Sequence, residues 1–371
     1  MQEKKMIGTL QARLEWVDIA KGILIISVLA GHFGFPQTGY IYLFHIPAFF
    51  VLTGYTSSPQ KVSLVSYIWK KCKTILFPFY IVNILFFTIN LALNKLGLYD
   101  NLIVGDYPGF KTEISVFLRN PMAMSSWGGA TWFLFVLFTA EIIYALICTL
   151  CKNVGILKDK EVYILFIVGL AGAFCISFNI VLPFMIDVSL MACIYIAIGK
   201  ALSQFNVFEK HIEHKVMIPI SFVVVIFFGS FFYHTNIAFN WPTKSFPVFP
   251  VALAIVFCCI YILYLTSCLL EKLELFKNVL SYIGKRAFSI FVFHFLAMRV
   301  VTLVLILLKL EPMEALQRVV PIGSYLWIFY TFGALLICLI ISFISEKSCI
   351  LNYIVNAKIK NRKDNANAAK K

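Results

Sequence analysis

The sequence predicts an all-α fold: a polytopic membrane protein with about ten transmembrane helices and both termini in the cytoplasm. Of its 371 residues, 61% are hydrophobic and 13% are charged, whereas about 25% of the residues of a typical soluble domain are charged. The apolar residues are concentrated in runs of about 17 to 24 residues, the length that crosses a bilayer core as a helix. The basic residues between the runs are distributed unequally, which predicts the orientation.

The predicted helices form one membrane domain, residues 18–345. It lies between a cytoplasmic N-terminal segment, residues 1–17, and a basic cytoplasmic tail, residues 346–371, that is expected to be disordered. The shortest run contains Pro47. The ten runs are residues 18–35, 41–57, 75–94, 131–151, 162–180, 183–201, 215–233, 248–269, 286–308 and 322–344.

Lys and Arg residues separate into two groups when the N-terminus is placed in the cytoplasm. Segments that then face the cytoplasm hold 24 of the 32 Lys and Arg residues, outer loops hold six, and two lie within spans. This bias is the positive-inside signature. The net charge of +14 therefore reports topology, and no nucleic-acid partner is expected. No metal is expected either, because Cys148 and Cys151 have no second ligand pair.

The first predicted helix carries three ionisable residues in a segment that must cross hydrocarbon, where each is costly. Lys21 and His32 are eleven residues apart, about three helical turns or about 16 Å, so they share one face of the helix, and Asp18 lies on nearly the same face. Asp18 and Lys21 could form an ion pair at the membrane border, with Lys21 extending to water. His32 lies too deep for that, which leaves a structural hydrogen bond or, as the stronger hypothesis, proton transfer.

The next two predicted helices add a histidine and a basic cluster. His45 begins the second run, where a histidine taken alone is more often interfacial than catalytic. Lys70, Lys71 and Lys73 crowd the cytoplasmic start of the third run. Such a cluster fits two interpretations equally: the positive-inside signal with contacts to anionic membrane lipids, or a site for a phosphate-bearing cytosolic cofactor.

Further polar residues lie inside later runs: Glu141, Asp187, His294 and Arg299. A carboxylate near the middle of a span needs a partner or a proton, because an unpaired buried charge is strongly disfavoured. Either acid could orient His32, as a third group orients the base in a catalytic triad. The sequence leaves open which one does.

Five segments, in order, resemble the membrane-bound acyltransferase 3 family, and among its branches the fucose 4-O-acetylase-like proteins, which have Lys-Gly-Ile where others have Arg-Gly. The resemblance covers about residues 13 to 345. Its small-residue motif after the second helix falls on Thr53, Gly54 and Tyr55. The segments are "WVDIAKGILIISVLAGH", "FHIPAFFVLTGY", "YIWKKCKTILFPFY", "TWFLFVLF" and "GKRAFSIFVFH".

The resemblance implies transfer of an acyl group, usually acetyl from acetyl-CoA, to a hydroxyl of a cell-envelope glycan or lipid-linked sugar in the bacterial inner (plasma) membrane. His32 would be the general base or the acyl acceptor. The remaining expected catalytic residues are Asp187 and Glu141. The expected acceptor-binding residues are His45, Trp132 and His294. The expected acetyl-CoA-binding residues are Lys21, Lys70, Lys71, Lys73 and Arg13.

A proton-coupled exporter of a sugar or an organic anion is the alternative from another class, because intramembrane ionisable groups mark transport pathways as readily as active sites. The absence of an internal repeat argues against it, as does the concentration of polar groups in the first three runs. Binding or hydrolysis of acetyl-CoA discriminates the two hypotheses.

Overall fold

The protein is helical throughout, apart from turns, in the part of the chain that its computed structural model describes: residues 14–210, 213–235, 240–241, 243–245, 249–318 and 325–358. Within these residues the one extended pairing is an isolated antiparallel bridge between Asn240 and Ser245. The all-helical prediction is therefore confirmed. Arg13, most of the N-terminal segment and residues 359–371 of the tail lie outside the described residues.

Seventeen α-helices are numbered here along the described chain. They are α1 (Glu15–His32), α2 (Thr38–Tyr42), α3 (His45–Thr56), α4 (Leu64–Lys71), α5 (Phe77–Lys95), α6 (Tyr99–Leu102), α7 (Phe110–Arg119), α8 (Trp132–Asn153), α9 (Glu161–Ser177), α10 (Ile186–Gln204), α11 (Val207–Lys210), α12 (His214–Thr235), α13 (Phe249–Glu271), α14 (Glu274–Gly284), α15 (Ala287–Leu307), α16 (Trp327–Ser345) and α17 (Cys349–Asn356).

Seven helices of the described chain are long and apolar enough to cross a membrane, which confirms a multi-pass protein. They are Leu64–Lys95, Trp132–Asn153, Pro183–Gln204, His214–Phe232, Pro250–Glu271, Ala287–Leu307 and Trp327–Ser345. Three other predicted spans coincide with α1, which contains three charged residues, and with the shorter α3 and α9. Their crossing, the total of about ten and the orientation of the termini stay predictions.

Helix α1 is the central helix of the bundle, and this position explains how it accommodates charge. It packs against α3, α13, α14, α15 and α16, so its ionisable side chains can meet protein rather than lipid. The helix ends at His32, three residues before the end of the predicted run, because Gly34 adopts a left-handed φ of 86° that terminates helices. The two ends of the bundle are called the Glu15 end and the His32 end below.

The crossing of α3 with α10 brings two backbones into direct contact. A Cβ atom on Gly199 would lie 1.9 Å from the carbonyl oxygen of Val51, and one on Gly54 would lie 2.0 Å from that of Ile196. Close crossings of this kind between membrane helices need residues without side chains. The glycines therefore hold α3, which begins with His45, tightly against α10.

A single 32-residue helical segment runs from α4 through a π-helical turn, Cys72–Leu76, into α5. Pro78 lies just beyond the turn. Proline has no N–H to donate and its ring clashes with the carbonyl four residues earlier, so the wider π-helical turn lets the helix continue through it. The turn directly follows Lys71 and includes Lys73, two of the three lysines of the basic cluster.

Arg299 of α15 links three of the segments that connect the long helices at the His32 end of the bundle. Its buried guanidinium donates to the carbonyl oxygens of Leu102 and Leu316 and to the hydroxyl of Ser126, and it lies 4.5 Å from the centre of the Trp127 ring. Three separate loops thus meet on one side chain. The planar fork of arginine suits this role, because it offers several donors in fixed directions.

Candidate active site

An apolar cavity of about 280 Å³ lies at the His32 end of the bundle. It contains two of the histidines that the sequence singles out, His32 and His45, together with Trp132. Side chains from α1, α2, α3, α8 and α15 meet there with a loop before α13. The lining residues are Val28, His32, Tyr42, His45, Ile46, Phe49, Gly129, Ala130, Trp132, Phe133, Asn240, Trp241 and Phe291.

His32 projects into this histidine cavity from the last residue of α1. Its half-buried ring stacks on the ring of His294, with 5.3 Å between the ring centres, and lies 5.1 Å from Phe295. Among the described residues no hydrogen bond joins its ring nitrogens to another side chain or carbonyl. Both nitrogens of His32 are therefore left for a molecule in the cavity.

Hydrogen bonds to the backbone fix the orientation of the other two histidines. Nδ1 of His45 lies 2.8 Å from the carbonyl oxygen of Ile41, and Nδ1 of His294 lies 2.7 Å from that of Phe291. A carbonyl only accepts, so each Nδ1 carries a proton, and each neutral ring presents Nε2 as an acceptor. His45 can thus accept a proton or a hydrogen bond in the cavity, while His294, fully buried behind His32, supports its ring.

A loop around residues 240–245 closes one side of the histidine cavity. Asn240 and Ser245 exchange two backbone hydrogen bonds, of 2.8 and 3.0 Å, and Trp241 is buried against Phe50 and Tyr195 at 5.5 and 5.8 Å between ring centres. The loop places Asn240 and Trp241 in the cavity wall. Sequence reasoning did not single out Asn240, Trp241 or Tyr42. The one signal in the sequence was the high content of Pro and aromatic residues in the segment that contains Asn240 and Trp241.

Asp187 holds this loop rather than lining the cavity. Its buried carboxylate forms an ion pair with Lys244 and accepts the backbone N–H of Val188 at 2.9 Å. It lies in the first turn of α10, where the positive end of the helix dipole favours a negative charge. Asp187 and the loop that carries Asn240 and Trp241 are thereby connected through one lysine.

Glu141 is joined to the basic cluster rather than to His32. Its buried carboxylate pairs with Lys71 and accepts the hydroxyl of Tyr67 at 2.6 Å. On α8 it lies nine residues beyond Trp132, about 13 Å along the axis. The structure therefore brings neither acid into the wall of the histidine cavity.

The residues expected to bind acetyl-CoA lie toward the Glu15 end. Lys21 is half-buried on α1, about 16 Å along the helix from His32. Lys70 is exposed, Lys73 lies 4.9 Å from the centre of the Trp69 ring, and Lys71 is engaged with Glu141. Arg13, also expected to contact the cofactor, is outside the described residues.

A family model for an acyltransferase domain, acyltransferase 3, matches residues 14–345. No curated protein and no solved structure gives a significant match to the chain. The match spans nearly the whole chain and includes every described residue of the histidine cavity and the basic cluster. The chain belongs to the acyltransferase 3 family and is a multi-pass membrane acyltransferase.

Proposed function

We propose that this acyltransferase transfers an acetyl group from cytosolic acetyl-CoA to a hydroxyl of a cell-envelope glycan or lipid-linked sugar, in the bacterial plasma membrane. Within its family we assign it to the fucose 4-O-acetylase-like branch, on the Lys-Gly-Ile of its first helix. The observation that carries the proposal is the shared cavity of His32 and His45, with His294 stacked behind His32. An apolar cavity with a few convergent polar groups is typical of a small-molecule site.

The orientation follows from charge. We propose that ten helices cross the membrane and that the Glu15 end faces the cytoplasm, because the basic residues cluster in the segments at that end. This places Lys21 and the basic cluster on the side where acetyl-CoA is found. It also places the histidine cavity toward the outer face, where envelope glycans are assembled.

The phosphates of acetyl-CoA are proposed to bind at the Glu15 end. Lys70 and Lys73 are available on one helical segment, Lys21 lies deeper on α1, and Arg13 precedes it. Lysine offers a point charge to a phosphate rather than the bidentate fork of arginine. Lys71 contributes less charge than its neighbours, since Glu141 pairs with it.

The pantetheine arm of acetyl-CoA is proposed to run along α1. In its extended form it spans the distance of about 16 Å between Lys21 and His32 and delivers the thioester to His32.

His32 is proposed to carry the chemistry. In direct transfer its ring takes the proton of the acceptor hydroxyl as the oxygen attacks the thioester carbonyl, and the departing thiolate of CoA then takes that proton. In the two-step alternative the ring nitrogen attacks first, CoA leaves, and the hydroxyl attacks the acyl-imidazole. Both routes yield the acetyl ester and CoA.

Neighbouring residues support either route. The carbonyl oxygen of the Asn240 side chain accepts the backbone N–H of Thr243 at 3.2 Å, so its amide N–H₂ can donate to the thioester oxygen as negative charge develops there. His45 and Trp132 would contact the acceptor. Asp187 would act at a distance by holding the loop of Asn240 through Lys244.

The test uses the full-length protein, purified in detergent, with labelled acetyl-CoA. Replacing His32 with Ala is expected to lower acetyl transfer and thioester hydrolysis by about 10² to 10⁴, the usual contribution of a general base. His214→Ala is the matched control, because His214 is exposed and contacts Tyr261 away from the cavity. Full activity in a folded His32→Ala protein would contradict the assignment.

The acceptor class is tested in cells. Mass analysis of envelope glycans is expected to show acetyl groups that disappear when the gene is deleted or when it carries His32→Ala. If wild-type protein neither binds nor hydrolyses acetyl-CoA, while cells lose export of a sugar or organic anion, the exporter hypothesis replaces this one.

A further inference from the structure

A second pocket, of about 320 Å³, opens at the same end of the bundle as the histidine cavity. It lies between the second half of α5, helix α7 and the loop before α8. Its lining combines apolar side chains with oxygen-bearing ones. Its lining residues are Phe87, Pro108, Thr112, Glu113, Val116, Ala123, Met124 and Ser125, and it is called the Glu113 pocket.

A buried amide organises the polar side of the Glu113 pocket. The side chain of Asn90 donates to Oε1 of Glu113 at 2.6 Å and to the hydroxyl oxygen of Ser125 at 3.3 Å. Its own oxygen accepts the indole N–H of Trp127 at 2.7 Å. Asn90 is 2% exposed and uses both ends of its amide, so it holds Glu113 and Ser125 in fixed orientations.

Tyr107 flanks the carboxylate of Glu113 on its buried side. Oε2 of Glu113 and the hydroxyl of Tyr107 are both buried. Burial and the neighbouring charge of Glu113 raise the pKa of Tyr107, whereas the contacts with Asn90 and Tyr107 act against burial and favour the ionised carboxylate of Glu113. The carboxylate that lines the pocket is therefore positioned from two sides, by Asn90 and by Tyr107.

The Glu113 pocket and the histidine cavity share one wall. Met124 lines the Glu113 pocket, and its sulfur accepts the backbone N–H of Trp132 at 3.2 Å and the hydroxyl of Thr131 at 3.1 Å. Trp132, Gly129 and Ala130 line the histidine cavity. Residues 124–132 therefore separate the two sites by the thickness of one loop.

We propose that the Glu113 pocket is a second sugar subsite, which binds the residue adjacent to the one that is acetylated, so that the preferred acceptor is an oligosaccharide rather than a single sugar. The carboxylate of Glu113 and the hydroxyls of Ser125 and Thr112 accept or exchange hydrogen bonds with sugar hydroxyls. Phe87, Pro108 and Met124 pack against the apolar face of the ring. Each pocket is at the low end of ligand-site volumes, a size suited to about one sugar ring. The inference rests on the proposed acetyl transfer.

The experiment compares acceptors of two lengths. A panel of methyl monoglycosides and matched disaccharides is screened with full-length wild-type protein, and the best pair is then measured with Glu113→Gln. The ratio of kcat/KM for the disaccharide to that for the monosaccharide is expected to fall about tenfold or more, as for the loss of one hydrogen bond to a charged group. Thr112→Val is expected to lower the ratio about threefold. Asp106→Asn, which alters an exposed carboxylate of the same loop, is expected to leave it unchanged.

Binding of the disaccharide, measured by saturation-transfer NMR, is a readout that does not need activity. Weaker binding to Glu113→Gln but not to Asp106→Asn supports the subsite, even if wild-type protein transfers no acetyl group and the proposed function fails. An unchanged ratio, or equal losses with both acceptor lengths, overturns the subsite and leaves acetyl transfer standing. Disaccharide binding that is insensitive to Glu113→Gln overturns it as well.

Discussion

Replacing Lys71 with Met is expected to destabilise the protein strongly, because it removes the positive partner of a buried carboxylate. The side chain of Glu141 is 4% exposed and that of Lys71 is 16% exposed. Breaking a buried ion pair from one side costs about 3–5 kcal/mol, since the remaining charge stays uncompensated. The hydrogen bond of 2.6 Å from Tyr67 compensates the carboxylate only in part.

The opposite change is expected to cost less. Glu141→Gln keeps an oxygen that can accept the Tyr67 hydroxyl, and Lys71, which is partly exposed, can turn its ammonium group toward water. We expect a loss of about 1–2 kcal/mol, the scale of one ordinary hydrogen bond. The double variant leaves no buried charge and should cost about as much as Glu141→Gln alone, so the coupling energy equals the loss from Lys71→Met, about 3–5 kcal/mol.

The measurement is reversible unfolding of the full-length protein in mixed micelles with increasing SDS. Lys70→Met is the matched control, because Lys70 is the adjacent exposed lysine, and it should change the unfolding free energy by less than about 0.5 kcal/mol. The reasoning is refuted if Lys71→Met is as stable as Lys70→Met. It is refuted equally if the double variant is less stable than Lys71→Met, since removing the unpaired charge of Glu141 would then relieve nothing.

Three further predictions follow from other contacts. Gly199→Ala is expected to lower the unfolding free energy by about 1–3 kcal/mol or to prevent folding, because its Cβ would meet the carbonyl oxygen of Val51 on α3. Gly155→Ala is the control and should unfold like wild type, because a Cβ there meets nothing within 4 Å. Arg299→Lys keeps the charge but cannot reach all its oxygen partners, so it should lose about 1–3 kcal/mol in the same unfolding assay; wild-type stability would refute its fastening role. Burial raises the pKa of Glu113 above its ordinary value of 4.5, so ionisation opposes folding and stability should fall as pH rises from about 4.5 through the raised pKa. Glu113→Gln should remove that decline, and parallel pH profiles for the two proteins would contradict it.

The helices could be predicted from the sequence because the bilayer imposes a simple rule on composition. A segment that crosses hydrocarbon must be apolar for about 20 residues, and seven of the predicted segments coincide with helices of sufficient length and hydropathy. The spacing of Lys21 and His32 likewise depends only on helical geometry. This spacing, followed by the segment "FHIPAFF", suggested the acyltransferase 3 family, and the family match over residues 14–345 confirms it.

The partners of the buried polar residues could not be predicted in this way. Glu141 and Asp187 were equal candidates to orient His32, yet one pairs with Lys71 and the other with Lys244, while His294 is the residue stacked on His32. Periodicity shows which face of a helix a residue occupies but not which neighbour that face meets.

What the sequence by itself determined is therefore the membrane class, the positions of the apolar helices, the polar stripe of the first helix and the family. Tertiary structure alone decided that His32 and His45 share a cavity, that the loop of Asn240 and Trp241 closes it, and that Glu113 lies in a neighbouring pocket. The physical reason is that hydrophobic periodicity is local, whereas a site is built where separate helices cross. Those crossings depend on close contacts between distant backbones, such as that of Gly199 with α3.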